Sequence, residues 1–284
     1  SNTELKKRLP KADVYICGSD QIWNSTFPNG RDPAFYLDFA PKEKRKLSYA
    51  ASFATDYIPE EIVPFVKEKL RYLDHVSVRE QSGVSLVRQL KIGNVKHVVD
   101  PTFLLSKEHW NNLARSMKEP KKKYILVYDF DHSPILKNIA MEIAYKTGYS
   151  IYSVNPNKIN FADKYFKFVG PDTFLALIRN ASFVVSNSYH ALIFSLIYEK
   201  NFAIVKRMES INTRMRDLLK ELHLSDRLID DSYDIKDLLK PVDYKVCKPK
   251  INKKIEDSKQ FLKDHMMKED PIKGLYEEKT IICH

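Results

Sequence analysis

The stretch SNSYHALIFSLIY, residues 186–198, places an imidazole where a buried strand meets an apolar helix. The strand is predicted at 181–185, and His190 lies in the first turn of the helix that follows. Asn187 or Ser188 can cap this helix, whose first turn presents free N–H groups and partial positive charge that suit an anion. An imidazole titrates near neutrality and can give or take a proton there. The alternative is a histidine that only contributes to the core.

An arginine at the end of an earlier strand is the second candidate. In VSVREQSG (76–83), Arg79 lies at the carboxyl end of the predicted strand and Glu80 begins the next helix. A planar guanidinium group can bind a phosphate or a carboxylate through two hydrogen bonds at once, so Arg79 is a candidate for anion binding. The alternative is a salt bridge to Glu80 or to the next helix.

A third candidate is the strand-end loop in ICGSDQIWN (16–24). Gly18 indicates a tight turn or a close approach of the backbone, because the chain has only seven glycines. Asp20 and Gln21 follow it, where they can reach a ligand. The alternative is a turn capped by Asp20, with Trp23 packed in the core.

Three weaker candidates complete the set. The strand in SYAASF (48–53) ends in small residues, including Ser52, and either a ligand or a packed helix can approach it closely. Asp100 precedes a proline that stops a strand, which favours a structural turn. Asn212 and Arg214 precede an amphipathic helix, so Asn212 can be its cap and Arg214 can reach a cleft or remain on the surface.

The elements that must position these residues alternate between strands and helices. The first series predicts strands at 13–17, 45–53, 75–80 and 95–100, with helices at 59–73 and 81–92. The second series predicts strands at 124–130, 149–154, 181–185 and 201–205, with helices at 134–147, 172–180, 188–199 and 212–222. This alternation predicts two α/β domains with parallel sheets and a cleft between them, and ligands bind beyond the carboxyl ends of such strands.

The same pattern divides the chain into four segments. We expect an N-terminal domain at 1–105, a connecting helix and loop at 106–122, a C-terminal domain at 123–240 and a helical tail at 241–284. The tail contains a polar, amphipathic helix at 250–266, and we expect it to pack back on the N-terminal domain.

Composition excludes several classes of protein. The 284 residues are 43% apolar and 30% charged, and no apolar run reaches the ~18–20 residues of a membrane span. The net charge of +10 favours acidic partners, but no nucleic-acid recognition module accompanies the lysines. The three cysteines lie far apart without metal-ligand spacing, so we expect no disulfide framework, no metal site and a cytoplasmic location. The glycine patterns of dinucleotide and P-loop sites are absent.

Six stretches, in matching order over roughly residues 12–230, together resemble the polysaccharide pyruvyl transferase family. They are DVYICGSDQIWN, KLSYAASFA, VSVREQSGVSLV, VVDPTFLL, ASFVVSNSYHALIFSLIYEKNFAIV and NTRMRDLL. The resemblance implies a GT-B-like fold of two Rossmann-like domains. Members usually begin with a strand, an NYGA-like loop and a helix, so we expect the N-terminal domain to lack this first unit. Ala191 stands where members usually have glycine.

The resemblance also implies a reaction, in which a pyruvyl group moves from phosphoenolpyruvate to a sugar of a cell-surface polysaccharide or its precursor and forms a ketal. The resemblance implies His190 and Arg79 as catalytic residues. We add Asp20 as a third, which we expect to receive a proton from an acceptor hydroxyl. The expected substrate-binding residues are Gly18, Ser19, Gln21, Ser52, Asn187, Ser188, Asn212 and Arg214. We expect no cofactor beyond the donor, a free, lipid-linked or polymeric saccharide as acceptor, and room for peripheral contact with a membrane surface.

Two other functions remain open. A nucleotide-sugar glycosyltransferase can be built on the same architecture. A non-catalytic glycan-binding or scaffold relative is favoured by the missing first unit.

Overall fold

The computed structural model describes residues 2–117, 120, 122–155, 158–209 and 211–266, and its strands form two parallel layers. The first layer contains β1 (Val14–Cys17), β2 (Arg45–Ser48), β3 (Val76–Val78) and β4 (Val95–His97). β1 pairs with β2 and β3 pairs with β4, while isolated bridges from Leu47 to His75 and from Ala51 to Val78 join the two pairs. Together with α1 (Asn2–Lys7), α2 (Val63–Leu70) and α3 (Gln81–Gln89), this layer forms what we call the N-terminal lobe.

The second layer has six parallel strands in the order β10-β9-β8-β5-β6-β7. They are β5 (Tyr124–Tyr128), β6 (Ser150–Ser153), β7 (Lys164–Tyr165), β8 (Phe183–Ser186), β9 (Asn201–Val205) and β10 (Leu228–Ile229). The helices that follow the first lobe are α4 (Lys107–Leu113), α5 (Pro134–Thr147), α6 (Pro171–Asn180), α7 (Tyr189–Ile197), α8 (Thr213–Glu221), α9 (Ile235–Leu239) and α10 (Tyr244–Met266). The sheet and helices α5 to α9 form the C-terminal lobe.

The strand order reverses between β5 and β8. From β5 the chain moves outward through β6 to β7, and it then returns to β8 and moves through β9 to β10 on the other side. In open parallel sheets, ligands bind in the crevice outside the carboxyl ends of the strands at such a reversal. The segments after β5 and β8 therefore border the most favourable binding position in this lobe.

The β5 strand is buried on both faces because helices cover both sides of the second sheet. Ile125 and Val127 pack in the cluster that contains the apolar residues of α5, whereas Leu126 packs with residues of α6 and α7. All three side chains are inaccessible to solvent. This explains why the strands read as continuous apolar runs, as parallel strands usually do.

The long helix α10 crosses from one lobe to the other. Its first turns pack on the C-terminal lobe, where the Tyr244 hydroxyl donates to the Lys200 carbonyl at 2.6 Å. Farther along, the Ser258 hydroxyl accepts a hydrogen bond from the Val99 N–H at 2.9 Å, and Phe261 joins an apolar cluster of the N-terminal lobe. The tail thus contacts the first lobe through its second half.

The fold class predicted from the sequence is confirmed, since every strand pair is parallel and helices alternate with strands. Four small elements were not predicted: α1, β7, β10 and α9. Helix α10 begins at Tyr244, before the predicted start at residue 250, and contains Pro249. Residues 118, 119 and 121 of the predicted connection and 267–284 of the predicted tail lie outside the described residues. The domain limits stay predictions.

Within the described part of the chain, no helix combines the length and apolar character that a membrane crossing requires.

Candidate functional site

Arg79 lies at the end of β3 with its side chain only 1% exposed. One terminal nitrogen, Nη1, donates to Asp100 Oδ2 at 2.6 Å, and the other, Nη2, donates to Asp20 Oδ1 at 3.1 Å. Burial alone lowers the pKa of Arg79, but Tyr189 and the surrounding carboxylates raise it by more, so the guanidinium stays charged. The structure thus holds a fixed positive charge at the end of the first sheet.

Arg214, on α8, reaches the same point from the C-terminal lobe. Its Nη1 donates to Asp20 Oδ1 at 3.2 Å, so guanidinium groups of two lobes share one carboxylate oxygen. Both groups lie over the ring of Tyr189, with 4.4 Å from the ring centre to the Arg79 guanidinium carbon and 5.2 Å to that of Arg214. Burial, and then repulsion from Arg79, lowers the pKa of Arg214. Among the described residues, neither arginine Nε has a hydrogen-bond partner.

Asp20 differs from its two partners because its side chain is 59% exposed. Burial raises the pKa of this carboxyl, but Arg79 and Arg214 lower it by more, and the net shift is downward. A carboxylate with a lowered pKa is a weak proton acceptor, so this position favours ion pairing over the proton transfer expected from the sequence. The catalytic role of Asp20 stays a prediction.

The loop before Asp20 is fixed by close packing. Gly18 has φ of +120°, and a Cβ atom added there would lie 2.0 Å from the Tyr49 carbonyl oxygen, so only glycine fits. Ser19 follows, donates to the Ala50 carbonyl at 3.1 Å and accepts from Arg79 Nη1 at 3.4 Å. Ser19 is therefore part of the charged cluster, whereas Gly18 shapes the loop that carries it.

Two other predicted binding residues make structural hydrogen bonds. Gln21 Oε1 accepts from Asn24 Nδ2 at 3.0 Å. Ser52 donates to Glu80 Oε1 at 2.8 Å, and this oxygen also accepts the N–H groups of Phe53 and Ala54. Neither side chain forms a hydrogen bond with the two arginines.

The two carboxylate oxygens of Asp100 have different hydrogen-bond partners. Its Oδ1 accepts from the Thr102 N–H and hydroxyl, at 3.0 and 2.7 Å, which is the structural turn that the sequence favoured. Its Oδ2 binds Arg79, so the same residue also belongs to the charged cluster. Burial raises the pKa of Asp100, but Arg79 and Thr102 lower it by more, and the carboxyl stays ionised.

His190 lies in the first turn of α7, at the carboxyl end of β8. The Ser188 hydroxyl caps this helix by accepting from the Ala191 N–H at 3.4 Å. The Asn187 amide instead binds the loop after β5, accepting from the Phe130 N–H at 2.9 Å and donating to Asp129. Ser188 thus lies beside His190 as its helix cap, while Asn187 orients the neighbouring loop.

The His190 ring is half-buried, and within the described part of the chain no group hydrogen-bonds to it. Burial lowers its pKa, and of the nearby charges Arg79 and Arg214 lower it further while Asp100 and Asp20 oppose them. The net shift is downward from the usual value of ~6.5, so the imidazole is neutral at pH 7. A neutral imidazole next to a cationic cluster can accept a proton.

Asn212 does not cap α8 through its side chain, although it occupies the position before the helix. Its Oδ1 accepts from the Arg207 N–H at 2.8 Å, and its Nδ2 donates to the Arg207 carbonyl at 3.0 Å. Asn212 therefore closes the loop between β9 and α8, which in turn pairs Arg207 with Asp131. The structure does not place it in hydrogen-bond contact with Arg79 or Arg214.

Two features of this site are not evident from the sequence. The first is Tyr189, whose ring lies under both guanidinium groups. A cavity of about 480 Å³ lies beside His190 and Ser188, lined largely by aromatic side chains. The aromatic residues come from separate segments of the chain, so no local motif indicates that they meet.

Within the described ranges, no group of three His, Cys, Asp or Glu side chains could hold a metal ion. The charge of the cluster comes instead from Arg79 and Arg214.

Comparison with solved structures shows the fold. The chain is similar to the UDP-N-acetylglucosamine 2-epimerase of Methanocaldococcus jannaschii, with 14% identity and a TM-score of 0.51 over 84% of this chain and 72% of that one. It is similar to a Listeria monocytogenes protein assigned the same activity, with 11% identity and a TM-score of 0.50 over 89% of this chain and 70% of that one. The architecture is GT-B-like.

Among curated protein sequences, none matches this chain. The family model of polysaccharide pyruvyl transferase matches residues 2–207, which is most of the chain and includes Arg79, Asp20 and His190. The chain therefore belongs to the polysaccharide pyruvyl transferase family.

Proposed function

We propose that the protein transfers the pyruvyl group of phosphoenolpyruvate to two hydroxyls of a saccharide, forming a cyclic ketal and releasing phosphate. The observation that carries this proposal is the meeting of Arg79 and Arg214, from different lobes, at one oxygen beside His190. Two buried guanidinium groups at a cleft suit a small substrate with a carboxylate and a phosphate.

The reaction balances without an oxidant or a reductant. The first hydroxyl oxygen adds to C2 of phosphoenolpyruvate while C3 takes up a proton and becomes a methyl group. The bond from C2 to the phosphate oxygen then breaks, and the second hydroxyl adds to C2. One hydroxyl proton is thus matched by the proton on C3, and the other leaves with the phosphate.

The two ends of the donor have separate binding groups. One anionic end would bind the guanidinium groups of Arg79 and Arg214. The other would lie at the start of α7, where the N–H groups of Tyr189 and His190 have no acceptor among the described residues. Helix N-termini favour anions through these free donors and the helix dipole.

His190 is the group that would move the proton. Its lowered pKa keeps the ring neutral in the free protein, so it can take the proton of the attacking hydroxyl. A bound dianion next to the ring favours its charged form and so strengthens it as an acceptor. The protonated ring can then return this proton to C3 or to the departing phosphate.

The test is turnover by the full chain with phosphoenolpyruvate and a panel of methyl pyranosides. We expect phosphate release together with a product that carries the added pyruvyl mass. The His190→Ala variant should lose about 10²–10⁴-fold in kcat, as expected when a proton-transfer group is removed. The Arg79→Lys variant should raise KM for phosphoenolpyruvate, because lysine keeps the charge but loses the two-pronged contact.

The Arg115→Lys variant is the matched control, since Arg115 is exposed and pairs with Asp172 away from the cluster. Absence of product with every acceptor would contradict the proposal. Thermal stabilisation by uridine or guanosine diphosphate, but not by phosphoenolpyruvate, would favour a nucleotide-sugar glycosyltransferase. Saccharide binding without turnover would favour a glycan-binding protein.

A further inference from the structure

The cavity beside His190 lies at the point where the strand order of the second sheet reverses. It is bordered by the segments after β5, β6, β7 and β8 and by the start of α6. Its volume of about 480 Å³ falls within the ~300–1,000 Å³ of small-molecule sites. Both the position and the size are those of a ligand site, and neither Arg79 nor Arg214 lines it.

Aromatic rings dominate the cavity wall. They belong to Tyr128, Phe130, Phe166, Phe168, Phe174 and Phe194. The polar groups are few, and they include the His190 imidazole and the Ser188 hydroxyl. A wall of aromatic faces with a small number of polar groups fits a ligand that has C–H faces and hydroxyl edges, which describes a pyranose ring.

Two of these rings are held at the rim, in contact with solvent. Phe130 is 45% exposed and Phe168 is 80% exposed. Phe168 also has φ of +51°, a left-handed conformation that a bulky side chain rarely adopts. Strained positions of this kind cluster at ligand sites, where the surrounding structure maintains them. Both rings therefore offer an exposed aromatic face at the mouth of the cavity.

The start of α7 borders both this cavity and the charged cluster. Tyr189 faces the two guanidinium groups, whereas the next residue, His190, lines the cavity. Consecutive residues of a helix diverge by about 100°, which accounts for the two directions. An anion on the Tyr189 side and a second ligand in the cavity would therefore both lie next to the His190 ring.

We infer that this cavity binds the acceptor saccharide, with one pyranose ring stacked on Phe130 or Phe168 and its reacting hydroxyls directed to His190. The inference rests on the proposed function. It assigns a separate part of the site to each substrate. The two arginines bind the donor, and the aromatic cavity binds the acceptor sugar.

The test measures initial rates of the Phe168→Ala and Phe130→Ala variants with the methyl pyranoside that the unmodified protein uses best. We expect KM for the saccharide to rise roughly three- to tenfold in each, as for the loss of one aromatic contact. The kcat value and KM for phosphoenolpyruvate should stay unchanged. The control is Tyr145→Ala, because Tyr145 on α5 is 91% exposed and lies outside the cavity.

The outcomes separate this inference from the proposed function. If the unmodified protein transfers pyruvyl groups and both variants keep its KM for the saccharide, the cavity is not the acceptor site although the function stands. A rise in KM for phosphoenolpyruvate instead would assign the cavity to the donor. If the variants lose affinity only for a dodecyl glycoside and not for the methyl glycoside, the cavity binds an alkyl chain rather than the sugar. Failure of the unmodified protein with every acceptor would refute the proposed function itself.

Discussion

At the scale of single residues, Asp20 is the group whose surroundings say most about substrate entry. One of its oxygens accepts from both Arg79 and Arg214, yet its side chain is largely exposed. Asp20 thus pairs with both arginines on the exposed side, and Asp100 pairs with Arg79 on the buried side. An incoming anion must compete with Asp20 for these donors, since Asp100 is also held by Thr102.

The Asp20→Asn substitution tests this competition. We expect KM for phosphoenolpyruvate to fall by about three- to tenfold, because each factor of ten corresponds to ~1.4 kcal/mol and a neutral amide binds guanidinium groups less strongly. The kcat value should change little. Initial rates at varied donor concentration measure both. A kcat loss of ~10²–10⁴ with unchanged KM would instead show Asp20 to be the proton acceptor expected from the sequence. Asp172→Asn, at an exposed pair with Arg115, is the control.

His190 leads to a prediction about pH. Because its pKa lies below the usual ~6.5, the neutral ring persists to lower pH than an ordinary histidine would allow. We therefore expect kcat/KM to be level near pH 7 and to fall only as the pH drops below about 6.5, where the ring takes up a proton. The profile of the His190→Gln variant should lack this acid limb. An identical acid limb in the variant would assign it to another group.

The residues of this site were only partly predictable. Arg79 and His190 follow recognisable strands, so their positions at strand ends could be read locally. The sequence leaves open whether the Arg214 side chain lies in a cleft or on the surface. Its contact with Asp20 depends on how the two lobes pack against each other. The contact of the Tyr189 ring with both guanidinium groups also depends on how the lobes pack. The residues next to Tyr189 in the sequence do not indicate this contact.

At the scale of helices and strands, the longer elements with clear capping residues or periodicity could be predicted, and the shortest could not. Helix α5 was predicted with its observed bounds because Ser133 caps its start, Pro134 occupies the first turn and Gly148 ends it in a left-handed conformation. Strands β7 and β10 have two residues each, so periodicity cannot reveal them. The order of the second sheet, and with it the aromatic cavity, is a property of tertiary pairing and not of the sequence pattern.

Helix α10 offers a test at this scale. The Ser258 hydroxyl is fully buried, accepts from the Val99 N–H and donates to the Lys254 carbonyl. The Ser258→Ala substitution leaves the Val99 N–H without its acceptor, and we expect the free energy of unfolding to fall by about 1–3 kcal/mol. Urea denaturation followed by tryptophan fluorescence measures it. The exposed Ser85→Ala variant should change it by less than about 0.5 kcal/mol, and an equal loss in both variants would contradict the argument.

At the scale of the whole molecule, several carboxylates with lowered pKa values form ion pairs between segments that are distant in the sequence. The Asp56 carboxyl accepts two hydrogen bonds of 2.7 Å from Arg216 across the lobes, and these lower its pKa although burial raises it. Burial also raises the pKa of Asp38, but Lys6 and Lys69 lower it by more, which fastens α1 to its lobe. Asp20 and Asp100 shift in the same direction.

These shifts predict the response of stability to acid. A carboxyl whose pKa is lower in the folded protein adds stability above its unfolded value of ~3.9, and this stability is lost as the pH falls toward the folded value. Glu80 opposes the trend, since burial raises its pKa. Burial also lowers the pKa values of His190, His97 and His75, so the unfolded chain takes up more protons than the folded one below its histidine value of ~6.5. We expect the urea midpoint to begin to fall as the pH drops below about 6.5 and to fall further below about pH 4. A midpoint that stays constant from pH 7 to pH 3 would show that these pairs do not stabilise the fold.

The path of α10 has a mechanical consequence for the catalytic cycle. The polypeptide passes between the lobes twice, first through the segment that carries α4 and again along α10, and Lys254 touches His97 of one lobe and Glu221 of the other near the second passage. Two connections restrict the relative motion of the lobes to rotation about the line that joins these connections. A substrate bound by Arg79 and Arg214 together would oppose this rotation, so we expect release of the ketal to require the two lobes to move apart.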